Sequence, residues 1–272
     1  AVAGYPIDLR VKARTPRLPA TVCEPEHLHV DTAQFGLGAH ERWLAGQGQK
    51  WLHVAIAAGR QLVAVQEPNG AWLHRADYPH TFPLRAPWCS AMAQGEGASL
   101  LVRLHAITGD ATFAQAAARA VMPLSRDLDD GGVRTELGGA PWLEEYPTRP
   151  SSYVLNGAIF ALWGLRDVGV GLGDQHALRA FDDGVDALAA NLHRFDTGWW
   201  SLYSRYPHPL RNPASGFYHA LHLSQLEGMQ RLAPRPQFAA THARWAAYAA
   251  SRACRTRAFA AKVMFRLAVP RR

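Results

Sequence analysis

Lysine is nearly missing from this chain: of 29 basic residues in 272, only Lys12, Lys50 and Lys262 are lysines. Cysteine is as scarce. Cys23, Cys89 and Cys254 are odd in number and far apart, so they suggest neither a disulfide framework nor a metal-ligand set, and they leave the compartment unread. Long apolar runs are absent, and no stretch approaches the roughly 18 residues of a membrane span. Acidic residues are missing from one end. Arg231 to Arg272 carries ten basic residues and no acid, which leaves 19 basic against 22 acidic, or net −3, in the other 230. The net charge of +7 therefore belongs to a tail and not to the fold as a whole, which argues against a nucleic-acid surface. Genome composition accounts for the Arg bias as readily as function does. A functional reading is a surface for polyanions, because Arg forks match carboxylate and sulfate oxygens. Walker, Rossmann and Gly-x-Ser-x-Gly patterns are also absent. Gln94-Gly95-Glu96-Gly97 lacks the lysine and preceding strand of a phosphate loop, so its glycines are read as allowing close helix packing or ligand access.

What remains is the composition of one soluble globular domain, with 48% apolar and 19% charged residues. The chain opens on Ala1 rather than Met, read as a processed or trimmed start, so targeting and localisation stay unknown. Residues 1–31 read as an extended N-terminal arm, rich in proline between Tyr5 and Glu26. From residue 32 the apolar spacing becomes helical, and helices come in pairs: 32–45 with 49–66, 88–107 with 110–123, 151–168 with 174–193, and 217–231 with 235–252. The pairs recur every 56, 63 and 66 residues, a loose repeat of stacked helical hairpins. Gly46-Gln47, Gly109-Asp110 and Gly173-Asp174 mark the turns within pairs, glycine ending one helix and aspartate capping the next in the latter two. Longer connections at 67–87, 124–150 and 194–216 carry strand-like pieces and join equivalent helix ends. The predicted fold is mainly α: an incomplete α/α toroid over 32–253, short β-hairpins in the long loops on one rim, and a basic C-terminal tail at 254–272. A plain helical bundle is the alternative.

That rim is rich in polar and aromatic residues. Trp142-Leu143-Glu144-Glu145-Tyr146-Pro147 closes the second long loop, and Trp199-Trp200-Ser201-Leu202-Tyr203-Ser204-Arg205-Tyr206 lies in the third. Phe217-Tyr218-His219 opens the last inner helix, which continues to His222 and Gln225. Rings that stack on sugar faces, beside acids and an arginine, suit a carbohydrate cleft. The bland readings stay open. The rings also serve as lids over a core, the glutamates as a solvated pair before a turn, and His219 and His222 as satisfied core or cleft histidines, since no third metal ligand has suitable spacing. His27 and His29 alternate along the arm and are read as solvent-facing. Pro147 holds Tyr146 extended and so fixes where its side chain points.

Five motifs in order resemble the C-terminal catalytic domain of heparosan D-glucuronyl C5-epimerases over residues 32–252. They are Trp88-Cys89-Ser90-Ala91-Met92-Ala93-Gln94-Gly95, Glu144-Glu145-Tyr146-Pro147-Thr148, Ser151-Ser152-Tyr153-Val154-Leu155-Asn156-Gly157, Asp196-Thr197-Gly198 with Tyr203, and Tyr218-His219 with His222 and Gln225. The resemblance implies an α/α toroid and an isomerase that converts D-glucuronate to L-iduronate inside an acidic, heparosan-like polysaccharide. It implies a minimal, bacterial version without the β-rich regions of animal members. It carries Tyr146, Tyr203 and Tyr218 over as the functional trio and Glu145 as a proton-transfer group. Arg205, Gln94, Asn156, His219, His222, Trp88 and Trp199 are the expected substrate-binding residues. Cys89, Arg149 and Ser204 depart from the family pattern.

Inverting C5 removes a proton beside a carboxylate, so the carboxylate needs donors that strengthen as charge develops. Tyr146, Tyr203 and Arg205 are assigned to it. Inversion also needs a group on each face of the sugar; we assign Glu145 as base and Tyr218 as opposing acid, with a two-tyrosine scheme as the alternative. No redox cofactor is required, because no hydride moves; no metal site is assigned, and calcium is left open. A uronate polysaccharide lyase and a non-catalytic glycan-binding module are the other functional readings. No nucleic acid partner and no membrane span is expected, and homodimer formation is open.

Overall fold

The computed structural model describes residues 4–24 and 27–271. Four helical hairpins follow one another: α1 (His29–Leu44) with α2 (Gln49–Ala64), α3 (Ala91–Thr108) with α4 (Ala111–Ala120), α5 (Leu155–Leu172) with α6 (Gln175–Asn191), and α7 (Gly216–Leu232) with α8 (Pro236–Ala250). The first helix of each pair is internal. α1 packs on α3, α3 on α5 and α5 on α7, while their partners lie outside. The fold is an α/α toroid. No helix among the described residues is long and apolar enough to cross a membrane.

The short turns carry the expected local chemistry. Gly109 and Gly173 adopt left-handed φ of 72° and 73°, and Asp110 and Asp174 accept from backbone N–H groups to cap α4 and α6. Close packing of the inner helices depends on glycine at one crossing: a Cβ on Gly95 would overlap the α5 backbone, and one on Gly164 would overlap Gly95. Each long connection holds a small antiparallel hairpin. β1 (Leu73–His74) pairs with β2 (Trp88–Cys89), β3 (Arg134–Leu137) with β4 (Ala140–Leu143), and β5 (Leu202–Ser204) with β6 (Asn212–Pro213). Rings from all three connections touch, with Tyr78 6.4 Å from Tyr146 and His80 6.4 Å from Tyr203, so the three loops share one rim. The helical pattern assigned from residue 88 starts three residues later, because Trp88-Cys89 is a strand and Ser90 is the cap of α3.

Both ends differ from the sequence reading. The described part of the arm is packed against the toroid rather than extended away from it. Tyr5 is buried edge-on against Trp163 (5.5 Å), the Tyr5 N–H donates to Glu41 of α1 (2.8 Å), and Arg231 of α7 donates to the Pro6 carbonyl (2.6 Å). The segment thus crosses from α1 to α7. The supposed basic tail is helical: α9 (Arg252–Ala268) starts on a Ser251 cap and packs along α8, α7 and β6. Its buried Ala258 and Phe265 point inward. Phe259, Val263, Met264 and Leu267 on its other side are exposed to solvent.

Candidate active site

The two adjacent glutamates have separate tasks. Glu144 is fully buried, and its carboxylate accepts from the Ser152 hydroxyl, the Ser152 N–H (3.1 Å) and the Tyr153 N–H (3.1 Å). It fixes the backbone where Tyr153 holds the left-handed φ of 48°, just before α5. Glu145 instead faces a cavity of about 440 Å³ bounded by the inner helices and the arm. Its carboxylate accepts from the Asn156 amide (3.2 Å) and lies beside Tyr146 at the cavity wall. Gly157 makes room for it, since a Cβ there would overlap the Glu145 side chain. Burial raises Glu145 to about 7, with Tyr146 and Asn156 pulling the other way.

From Glu145 a row of phenols runs across the rim. Tyr146 stands beside Glu145, Tyr203 beside Tyr146, and Tyr218 beside Tyr203. The Tyr203 and Tyr218 rings meet edge-on at 4.7 Å. The Ser215 hydroxyl caps α7 by accepting from the Tyr218 N–H (3.3 Å), which fixes Tyr218 in the first turn. Burial raises Tyr146 and Tyr203 well above the ordinary phenol value and Tyr218 to about 12, with Glu145 reinforcing each shift. All three phenols therefore stay protonated at neutral pH.

Beyond the row lies a smaller pocket of about 80 Å³, lined by Tyr78, His80, Tyr146, Tyr203, Asn212 and Tyr218 together with Lys262, Arg266 and Arg271. No acidic residue lines it. Tyr78, Tyr146 and Tyr218 wall both this pocket and the larger cavity.

Of the residues read from sequence, Glu145, Tyr146, Tyr203, Tyr218 and Asn156 come together here. The others stand apart. Arg205 is exposed and donates to the Arg194 carbonyl (3.0 Å), because Arg205 and Tyr206 turn away after β5 with both N–H groups on the Ser152 carbonyl. Gln94 is fully buried, its amide oxygen accepting from the Trp72 N–H and its NH2 donating to Gly70 and Ala120 carbonyls. His219 is buried against the Trp200 ring (3.7 Å), with its nitrogens on Ser201 and the Trp245 carbonyl. His222 is buried on the same Ser201 hydroxyl (3.0 Å), and burial lowers it to about 3. Trp88 stacks on His74 (4.0 Å) and supports Tyr146 at 5.8 Å. Trp199 lies under the Arg257 guanidinium (4.6 Å) and helps to seat α9. His27 and His29 are not solvent-facing: His27 bonds with Thr32, and His29 with the Leu73 carbonyl. Sequence reading missed Tyr78, His80 and Asn212, and it read the α9 cations as a basic segment that attracts the polyanion without placing them at the rim. Tyr78 and His80 alternate in a loop read only for its turns, and the cations were assigned to a tail. Among the described residues no group of three or more His, Cys, Asp or Glu is placed to hold a metal ion.

Fold and site define an α/α toroid with a buried carboxyl group and three phenols gathered on its decorated rim. A solved unsaturated glucuronyl hydrolase from Bacillus sp. GL1 shares the fold, with a TM-score of 0.51 at 15% identity over 86% of this chain and 62% of that one. The family described as D-glucuronyl C5-epimerase C-terminus matches residues 66–247, and the chain belongs to it. The D-glucuronyl C5-epimerase of Caenorhabditis elegans is 33% identical over 220 residues, which are 72% of this chain and 35% of that protein. An uncharacterized protein of Methanocaldococcus jannaschii is 26% identical over 158 residues, 56% of this chain and 51% of the relative. The chain thus spans between about a third and a half of the length of these relatives.

Proposed function

We propose that this chain is a uronate C5-epimerase, converting D-glucuronate to L-iduronate within a heparosan-like polysaccharide. The observation that carries the reading is the row from Glu145 to Tyr218, a raised carboxyl group at one end and a protonated phenol at the other. Family membership supplies the reaction class. The sugar ring lies in the larger cavity, beside Glu145 and Asn156. Glu145, with its ordinary value raised toward neutrality, is a better base than a ground-state carboxylate near 4.5 and is still half ionised at about pH 7. It takes the C5 proton. Tyr218 returns a proton from the opposite face, and the cycle closes when Glu145 releases its proton to solvent and the partly exposed Tyr218 regains one from it.

The raised phenols favour this assignment over a two-tyrosine scheme, because burial and the Glu145 charge outweigh the nearby cations and a phenol held protonated resists acting as the base. Tyr146 and Tyr203 also donate to the substrate carboxylate as charge builds on it, a contact that strengthens in the transition state. A proton moves and no hydride does, so the scheme needs no redox cofactor.

The test is incubation with heparosan and with its N-sulfated form in heavy water. The reading expects deuterium at C5 of the uronate with chain length unchanged. Shortened chains with a new ultraviolet absorbance would assign a lyase, and retention of the polymer without exchange a binding module.

A further inference from the structure

We propose that the C-terminal helix α9 completes the site by clamping the substrate carboxylate, with Lys262 as its central ligand and Arg266 and Arg271 beside it. The inference rests on the epimerase reading above and adds a binding site on α9, beyond the residues matched by the family.

Three observations converge. First, the position is dictated by the chemistry. The carboxylate is bonded to C5, so its pocket must adjoin the groups that move the C5 proton. The small pocket does: it shares Tyr146 and Tyr218 with the larger cavity, while Glu145 borders only the larger one and the cations only the smaller. Second, the pocket fits the group. At about 80 Å³ against about 440 Å³ for the larger cavity, it is the size for a small anionic group rather than the site for the sugar ring itself. Third, the site is built and unbalanced. Lys262 is half-buried and donates to the Asn212 side-chain oxygen (2.7 Å), and the Asn212 amide in turn donates to the Ser204 hydroxyl (3.0 Å). That leaves two ammonium protons for a ligand. Lys262, Arg266 and Arg271 form no ion pair among the described residues, and half-burying a cation without a counter-charge is unfavourable unless an anion arrives. Burial and the two arginines push Lys262 down to about 7, as expected of a cation waiting for its partner.

The helix is held for this purpose at several points. Phe265 is fully buried against His208 (5.1 Å), Ala258 is buried in the rim cluster, and Arg257 covers Trp199. Lys262 and Arg266, four residues apart, then share the face that meets the pocket. When the C5 proton passes to Glu145, the extra charge is delocalised into the carboxylate, and Lys262 stabilises it where Arg205 does not reach.

The test measures binding of two probes by calorimetry. One is a tetrasaccharide alternating glucuronate and N-acetylglucosamine; the other is the same tetrasaccharide with its carboxylates reduced to alcohols. Lys262→Met should weaken the acidic probe about 10- to 100-fold, the scale of a charge-assisted hydrogen bond, and leave the reduced probe unchanged. Lys262→Arg should restore much of the difference. Equal losses for both probes, or no loss for the acidic one, would overturn the proposal. Should the Met variant fail to fold, Arg266→Gln carries the same comparison with a smaller selective loss. Because the readout is binding, a wild-type protein that discriminates the probes yet exchanges no C5 hydrogen would overturn the epimerase reading and leave the clamp standing.

Discussion

Near the short turns, Arg103 of α3 faces Asp167 of α5 at 2.6 Å, both almost fully buried, and the guanidinium also reaches the Ser99 and Gly4 carbonyls. At the other end of the same two helices, Glu145 is buried with an amide and a phenol but no cation, and Lys262 is half-buried with an amide but no carboxylate. One end matches charge with charge and leaves nothing to react. The other holds a carboxyl group and a cation apart, separated by three phenols and neither paired with an opposite charge. The difference in pairing, rather than in burial, distinguishes a structural polar cluster from a chemical one.

The comparison breaks most visibly at the matched end. Asp167→Asn leaves Arg103 buried without its counter-charge and should cost about 3–5 kcal/mol, read from the denaturation midpoint. Exchange per folded molecule should be unchanged. At the rim the order reverses: Tyr218→Phe should lower C5 exchange by about 10²-fold or more, with affinity altered only a few-fold and melting temperature nearly kept.

Next in size is the pH dependence. Glu145, raised to about 7, must be ionised to act, so turnover should rise with pH through about 7 and then level off. Lys262, lowered to about 7, must be charged to bind in the free protein, so kcat/KM should fall again above about 7 and trace a bell. A flat profile between pH 5 and 8 would remove both assignments. The smallest effect belongs to Arg205→Ala. An exposed arginine on the Arg194 carbonyl should change affinity by less than about twofold, measured on the acidic tetrasaccharide.

The toroid was legible because its grammar is local. Gly109-Asp110 and Gly173-Asp174 state a stop and a cap in two letters, and the apolar spacing states which face turns inward. Five of the site residues were legible from motifs, Glu145, Tyr146, Tyr203 and Tyr218 in short aromatic–acidic strings and Asn156 in the string that opens α5. Their neighbours were not. Nothing in the local string distinguishes Arg205, which turns out to solvent, from Arg266, which edges the pocket, because that choice is made where β5 ends and where α9 docks. His219 and His222 were expected among the substrate-binding residues for the opposite reason. Spacing places them on one helix face, and only the Ser201 hydroxyl and the Trp200 ring reveal that this face is internal.

The measurement that bears most directly on the contrast between the two ends is a paired reading of Glu145→Gln and wild type at pH 8, of C5 exchange in heavy water and of thermal stability. Between the ordinary 4.5 and about 7 the folded protein keeps a proton that the unfolded chain has released. Stability therefore falls as pH rises through that window, by about 3 kcal/mol in all above it, and the neutral amide escapes this loss. The account predicts a variant that melts higher than wild type at pH 8, shows no such gain at pH 4, and loses at least about 10²-fold in exchange. A variant that melts lower at pH 8, or that still exchanges at the wild-type rate, would contradict it.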